Sequence, residues 1–463
     1  LIIRRTFRIA AIASLLAMAA CISPEPDVTP VIDGASGAPP IVGSRGQPLS
    51  AGQSKAVLAR LSREAENSDV LQRHLALEKA LEDSPLVVGN KTTLLRDGPA
   101  TFAAMFKTIK AARHYVDLEY FTFEDIDSDG EKLGDLLVEK QRAGVQINVI
   151  YDSAGSSDTP PEFFDRLRQA GVVILEFHPL DPLKAKAGYS LNDRDHRKIL
   201  VADGSIGIVG GVNLSKVYGS KILLQDRDEP SANPETWRDT DLMIEGPAVA
   251  QLERLFLDTW SHEKGPPLVP SGFFPPLTAK GDETLHIIGS TPSEVVPEYY
   301  ATILSAIRNA ERNIWISAAY FVPTQQEQED LLAAARRGVD VRLLVPSKSD
   351  SEFALLVGHS RYDDLLEAGI KIYELRDKML HSKTATIDGV WSVIGSSNFD
   401  HRSVLFNNEV DAVILGRATA EQFQAMFEDD FANSDKIDQA AWESRPLGER
   451  TKEYLARLVE VLL

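Results

Sequence analysis

The segment Asp195-His196-Arg197-Lys198-Ile199-Leu200-Val201-Ala202-Asp203-Gly204 returns later as Leu380-His381-Ser382-Lys383-Thr384-Ala385-Thr386-Ile387-Asp388-Gly389. Both contain His-x-Lys-x4-Asp, and His, Lys and Asp keep one offset, 381 − 196 = 185. Gly210-Gly211-Val212-Asn213 and Gly395-Ser396-Ser397-Asn398 follow at that same offset. Two such segments, each trailed at one distance by Gly-x-x-Asn, do not arise by chance. The chain is therefore read as a duplicated unit.

The surrounding pattern repeats as well. In the first copy a strand from Tyr115 to Phe121, a helix from Lys132 to Arg142 and a strand from Gln146 to Tyr151 precede the motif. In the second, a strand from Ile314 to Phe321, a helix from Glu327 to Arg337 and a strand from Val341 to Val345 do so. Alternating strands and helices predict an α/β fold.

The motif spacing suits phosphate chemistry. Residues i and i+2 of a strand project from one face, so His196 with Lys198, and His381 with Lys383, can meet one phosphate. Asp203 and Asp388 complete the two motifs. At an odd offset beside a glycine, they fall at the turn and are expected to support the loop. Asn213 and Asn398 fall at the end of the next strand and would add donors to the phosphate.

These motifs resemble the phospholipase D superfamily. Other segments resemble bacterial cardiolipin synthases: Pro85-Leu86-Val87-Val88-Gly89-Asn90 with Leu95-Arg96-Asp97-Gly98, Asp117-Leu118-Glu119-Tyr120, Trp237-Arg238-Asp239-Thr240, Gly395 through Ser403, and Arg445-Pro446-Leu447. The resemblance runs from about Pro85 to the C-terminus. It implies the duplicated phospholipase D fold, with two mixed β-sheets flanked by helices and one shared active site between the repeats. It also implies a phosphodiester-cleaving enzyme acting on membrane phospholipids, by hydrolysis or phosphatidyl transfer. One His would attack phosphorus to form a phosphohistidine while the other protonates the leaving alkoxide. The resemblance favours His196 as nucleophile and His381 as acid. Lys198, Lys383, Asn213 and Asn398 would hold the non-bridging oxygens, with neither metal nor other cofactor required. Asp239 and Glu409 occupy equivalent places before matching strands and are the candidates to orient the imidazoles. The remaining histidines, His74, His114, His178, His262, His286 and His359, match no motif; His401 lies near the site in sequence.

Composition bears on the alternatives. A formal charge of −19 opposes life on bulk nucleic acid, where phosphate contacts demand a basic field. A nuclease of the same superfamily is thus disfavoured, and intact motifs disfavour a non-catalytic lipid-binding lipoprotein. The single cysteine, Cys21, permits no internal disulfide. Arg4, Arg5 and Arg8, the apolar run Ile9–Ala20 and Met18-Ala19-Ala20-Cys21 resemble a bacterial lipoprotein signal over residues 1–20, with Cys21 lipidated. Ile22 after it leans to the outer membrane, so the expected place is the periplasm-facing envelope, as a monomer with membrane phospholipids as partners.

The expected layout is a Pro/Gly-rich tether over 21–54 and a first repeat over 55–264, led by a helix from Lys55 to Glu82. A linker over 265–284 and a second repeat over 285–463 follow. Finally, 26 residues separate Asn213 from Asp239 but 11 separate Asn398 from Glu409, leaving 26 − 11 = 15 extra residues in the first copy. Tyr218, Ile222, Leu223 and Leu224 beside Lys216 and Lys221 suggest a loop touching the lipid surface.

Overall fold

The computed structural model describes residues 25–66, 68–81, 85–184, 190, 192–219, 236–268, 273–292, 294–458 and 460. The signal-like segment, Cys21 and the Ile222–Leu224 loop tip lie outside the described residues.

Chain order begins with β1 (Ile41–Val42) and β2 (Leu86–Arg96). The first repeat adds β3 (Tyr115–Tyr120), a hairpin of β4 (Asp127–Ser128) and β5 (Glu131–Lys132), β6 (Gln146–Asp152) and β7 (Val173–Phe177). It continues with β8 (Arg194–Asp195), β9 (Lys198–Ala202), β10 (Ile206–Gly210), β11 (Trp237–Arg238) and β12 (Thr240–Glu245). The second adds β13 (Glu283–Ser290), β14 (Asn313–Ser317), β15 (Asp340–Pro346), β16 (Lys371–Leu375) and β17 (Met379–Leu380). It ends with β18 (Thr384–Ile387), β19 (Trp391–Gly395), β20 (Asn407–Leu415) and β21 (Ser434–Lys436).

Pairing makes the duplication explicit. The first sheet runs β7-β6-β3-β9-β10-β12-β2. The second runs β16-β15-β14-β18-β19-β20-β13. In each, three parallel strands meet an antiparallel motif strand, so both sheets are mixed. β2 belongs to both: its Lys91–Arg96 stretch pairs with β12 and its Val87–Asn90 stretch with β13. Motif strands β9 and β18 are buried along their whole length, as strands covered on both faces must be. Ile199, Val201, Val209 and Leu242 of the first sheet share one core with Ile287, Ile394, Val410 and Ala412 of the second. The two sheets thus meet back to back, which is what lets two motifs reach one point.

The first part of the chain departs from the expected tether. Val28 and Ile32 are buried against Leu77, Tyr300 and Leu304, and Ile41–Val42 pairs in parallel with β2. Proline and glycine content suggested a free spacer, but regularly placed apolar residues between them give residues 25–54 a face to bury. Pro30 sits in the first turn of the helix Thr29–Gly34, where a missing N–H costs nothing. The single leading helix also divides, into Ala51–Ala65 and Val70–Leu81. Ser50 and Gln53 form a capping box at the start, and Glu66 takes a left-handed conformation, φ 50°, at the break. Both helices pack on the second repeat: Leu61, Leu71 and Leu75 share a core with Ile303, Ile307 and Trp391. Among the described residues no helix is long and apolar enough to cross a membrane.

Candidate active site

Two short strands cross between the repeats and bring the motifs together. β8 pairs in parallel with β20, setting Arg194 opposite Asn407 and Asp195 opposite Asn408. β11 pairs in parallel with β17, setting Trp237 opposite Met379 and Arg238 opposite Leu380. The backbone N–H of His196 donates to Asn408 O at 2.9 Å, and that of His381 to Arg238 O at 2.8 Å. Each motif histidine is therefore held by the backbone of the opposite repeat.

His196, His381, Asn213 and Asn398 line one cavity of about 510 Å³, together with Phe121, Thr122, Arg194, Trp237, Tyr320 and others. Lys198 and Lys383 lie buried behind the histidines, donating to His196 O at 2.6 Å and His381 O at 2.5 Å. Lys383 Nζ also stands 3.2 Å from His381 Nε2. Asn213 Oδ1 accepts the Thr122 N–H at 3.2 Å, which turns its amide donors away from Thr122. Asn398 donates its backbone N–H to Ser403 Oγ at 3.0 Å.

The orienting carboxylates work in reciprocal fashion. His196 Nδ1 lies 2.9 Å from Glu409, and His381 Nδ1 lies 2.8 Å from Asp239. Each carboxylate thus serves the histidine of the other repeat, a crossing that equivalent sequence positions alone do not reveal. A carboxylate at Nδ1 fixes the proton there and leaves the lone pair on Nε2. Glu409 is the more heavily supported. It accepts from Ser396 Oγ at 2.5 Å, Ser403 Oγ at 2.8 Å and Asn407 Nδ2 at 3.1 Å. Burial pushes its carboxyl up, but His196, the Lys198 charge and the Ser396 hydroxyl hold it below the usual glutamate range. Asp239 accepts the Thr240 N–H at 2.8 Å and packs against Gly211, where any Cβ would stand 2.2 Å from Oδ1. Tyr218 adds a hydroxyl 2.9 Å from His381 Nδ1.

Burial dominates the ionisation of the centre. It lowers His196 to about 4 against the opposing pull of Glu409, with the Lys198 charge assisting. His381 is likewise lowered to about 4 by burial and the Lys383 charge, against Asp239. Both imidazoles are neutral near pH 7. Burial also lowers Lys198 to about 7 despite Glu409, so its charge depends on an anion beside it.

Asp203 and Asp388, counted with the catalytic set by motif, are not on the cavity wall. They occupy hairpin turns at φ 50° and 53°, each followed by a glycine at positive φ. Asp203 accepts the N–H groups of Arg113, His114 and Tyr115, the last two at 2.8 and 3.0 Å. Asp388 accepts those of Glu311, Arg312 and Asn313 between 2.8 and 3.0 Å. They tie the motif hairpin to the strand beside it and stay out of reach of substrate. A second pair, Asp241 and Asp411, brackets the Gly-x-x-Asn turns. Asp241 accepts from Val212 N at 3.0 Å and Asp411 from Ser397 Oγ at 2.5 Å. Burial pushes both up, Asp411 to about 8, so they act as neutral brackets. Their matching places in β12 and β20 were the one sequence signal for them. Arg194 gave none, because it is not repeated; Trp237 entered only through the resembling segment Trp237–Thr240, and Tyr218, expected in a loop touching the lipid surface, is instead buried against His381. His401 faces Glu25 at 3.4 Å and is absent from the cavity wall.

Among the described residues, one group of three has ligand atoms close enough for a metal: His74, Glu78 and His286. It lies outside the cavity. Glu78 Oε1 stands 2.5 Å from His74 Nε2 and 2.7 Å from His286 Nδ1, a buried ion-pair set joining the helix Val70–Leu81 to β13.

Known proteins resemble this chain in sequence and in fold. The sequence profile described as cardiolipin synthase, PLD-like domain, fits residues 105–220 and 303–431. The chain is 35% identical over 396 residues to a cardiolipin synthase of Geobacillus thermodenitrificans, covering 84% of this chain and 75% of that one. It is 34% identical over 376 residues to a probable cardiolipin synthase of Bacillus subtilis, covering 80% and 72%. The phosphatidylserine synthase of Haemophilus influenzae shares the fold at TM-score 0.61 and 12% identity, over 80% of this chain and 95% of that one.

Proposed function

Because the chain belongs to the cardiolipin synthase, PLD-like family, we propose that it is a phosphatidyltransferase: it breaks a phospholipid phosphodiester and passes the phosphatidyl group to a second alcohol. The observation that carries this reading is the pair of reciprocal His–carboxylate couples, His196–Glu409 and His381–Asp239, facing one cavity.

The chemistry uses both. His196 Nε2 attacks phosphorus, the bond from phosphorus to the leaving oxygen breaks, and His381 gives that oxygen a proton. The acceptor hydroxyl then loses its proton to His381 and attacks phosphorus, and the bond to His196 breaks. Glu409 suits His196 to the nucleophilic role. Phosphorylation leaves the imidazole cationic, and a carboxylate held ionised by three further donors offsets that charge. The bound phosphodiester is an anion, so it pushes His381 and both lysines back toward their charged forms as it enters. Lys198, Lys383, Asn213 and Asn398 then face the non-bridging oxygens.

The product test is direct. Purified protein with phosphatidylglycerol, alone or with phosphatidylethanolamine added as donor, should release the head-group alcohol and form a diphosphatidyl product, identified by mass. Phosphatidic acid alone, at all acceptor concentrations, would make the enzyme a hydrolase. For location, the Met18–Cys21 box supports a lipid-anchored envelope protein, outer membrane favoured. Cys21→Ser should then move the protein from the membrane to the soluble fraction; its retention in the membrane would exclude lipidation as the anchor.

A further inference from the structure

The cluster of His74, Glu78 and His286 takes no part in the chemistry above. His74 and Glu78 stand four residues apart on the helix Val70–Leu81, so they share a face. That face meets β13, which supplies His286. The three side chains are sealed from solvent: His74 and Glu78 are each 2% exposed and His286 0%. The Trp391 ring closes edge-on to His74 at 6.1 Å. A carboxylate buried between two imidazoles is costly unless its charge is answered.

An ion pair alone does not answer it. One oxygen, Glu78 Oε1, lies 2.5 Å from His74 Nε2 and 2.7 Å from His286 Nδ1. Yet neither carboxylate oxygen of Glu78 and neither ring nitrogen of His74 has a hydrogen-bond partner. These atoms approach closely without the donor-to-acceptor alignment that a hydrogen bond needs. Close approach without alignment is the arrangement of lone pairs that face a shared point rather than one another. On the far side of the second imidazole, His286 Nε2 stands 3.5 Å from Glu298 Oε1. A carboxylate behind the outer nitrogen is the support a metal-ligating histidine takes, since it fixes the tautomer and turns the inner lone pair toward the ion.

We propose that His74, Glu78 and His286 form a structural zinc site, outside the cavity and independent of the transferase reading. The donors are His74 Nε2, His286 Nδ1 and Glu78 Oε1, and Glu78 Oε2 on the same carboxylate can supply a fourth. Two imidazoles with a carboxylate are a nitrogen–oxygen set that zinc takes, whereas calcium and magnesium take oxygens. The cation balances the buried carboxylate while both imidazoles stay neutral, as ligands must be. The ligands come from two elements far apart in sequence, so the site is complete only when the leading helix has docked on the second sheet. Binding the ion therefore stabilises that docked state. No step of the phosphodiester chemistry runs through it.

The test is metal content, because replacing a ligand would lower stability whether it held an ion or only an ion pair. The full chain, expressed with zinc in the medium and purified without a histidine tag or chelating resin, should carry about one zinc per chain by elemental mass spectrometry. His74→Gln and Glu78→Gln should each retain about a tenth of that or less. X-ray absorption at the zinc edge of wild type, which needs no variant to fold, should show imidazole scattering from both histidines. Wild type without zinc, or a zinc spectrum without imidazole, overturns the site and leaves a buried ion pair. Zinc kept in full by both variants overturns it as well, since the ion would then sit elsewhere.

Discussion

The two half-sites share a backbone and differ in what surrounds the histidine. Around His196, Ser396, Ser403 and Asn407 all donate to Glu409, and Phe121 closes edge-on at 5.2 Å. Around His381, Gly211 leaves room for Asp239, and Trp237, Tyr218 and Tyr320 stand at 5.0, 6.0 and 6.1 Å. Duplication supplied two equivalent imidazoles; divergence of their neighbours supplied a direction. The polar half can hold a charge on its histidine. The aromatic half surrounds its histidine with rings and one carboxylate and leaves less to hold such a charge.

The comparison breaks first at the histidines. His196→Ala and His381→Ala should each lower turnover about 10³-fold or more on a natural phospholipid, non-additively in the double variant. A phosphodiester with a nitrophenolate leaving group needs no general acid. On it, His381→Ala should recover a phosphoenzyme burst and His196→Ala should not. Recovery by His196→Ala instead would reverse the two roles.

The carboxylates come next. Glu409→Gln should cost about 10²-fold in kcat and Asp239→Asn about tenfold, since the first loses a charge that balances phosphoimidazolium and the second mainly orients its ring. Equal losses would mean that the different donor sets carry no functional weight.

How much of this was legible beforehand depended on repetition. Both motif hairpins could be placed because they recur at one offset, and the succession of strands and helices and the two orienting acids because each has a counterpart in the other repeat. The crossing of Glu409 to His196 could not, because pairing between repeats is set by the β8–β20 and β11–β17 ladders, each two residues long. Residues 25–54 were misjudged for a different reason. A composition count registers Pro30 and Gly34 but not that Val28 and Ile32 between them find Leu77 and Tyr300 to cover them.

A smaller effect concerns pH. Burial lowers Lys198 to about 7, so in the free enzyme its ammonium is charged below that pH and lost above it. kcat/KM, which reports free-enzyme ionisations, should fall about tenfold per unit on the alkaline side of that value. Lys198→Arg, whose guanidinium does not deprotonate, should flatten that limb whatever it does to the maximum. A profile level to pH 9 in wild type would assign the electrostatic load to Lys383.

The smallest effect on activity should come from the motif aspartates, and it separates the repeats by stability rather than by chemistry. Asp203 and Asp388 each accept three successive backbone N–H groups, but their settings differ. Arg113 and His114, which donate to Asp203, are exposed, so water can replace the lost acceptor. Asp388 is 1% exposed and takes in addition the Ser68 hydroxyl at 2.5 Å, from the break between the two leading helices. Its loss strands the buried Ser68 hydroxyl and loosens those helices from the second repeat. Both positions also need positive φ, which Asn tolerates better than Ala. Asp388→Ala should therefore cost about 3–5 kcal/mol of unfolding free energy and Asp203→Ala about 1–2, with the Asn variants milder in both. At a temperature where every variant is folded, kcat should stay within about threefold of wild type, since neither carboxylate touches the cavity. A kcat loss for either that exceeds its carboxylate-orienting counterpart, Asp239→Asn, would move these aspartates back into the catalytic machinery.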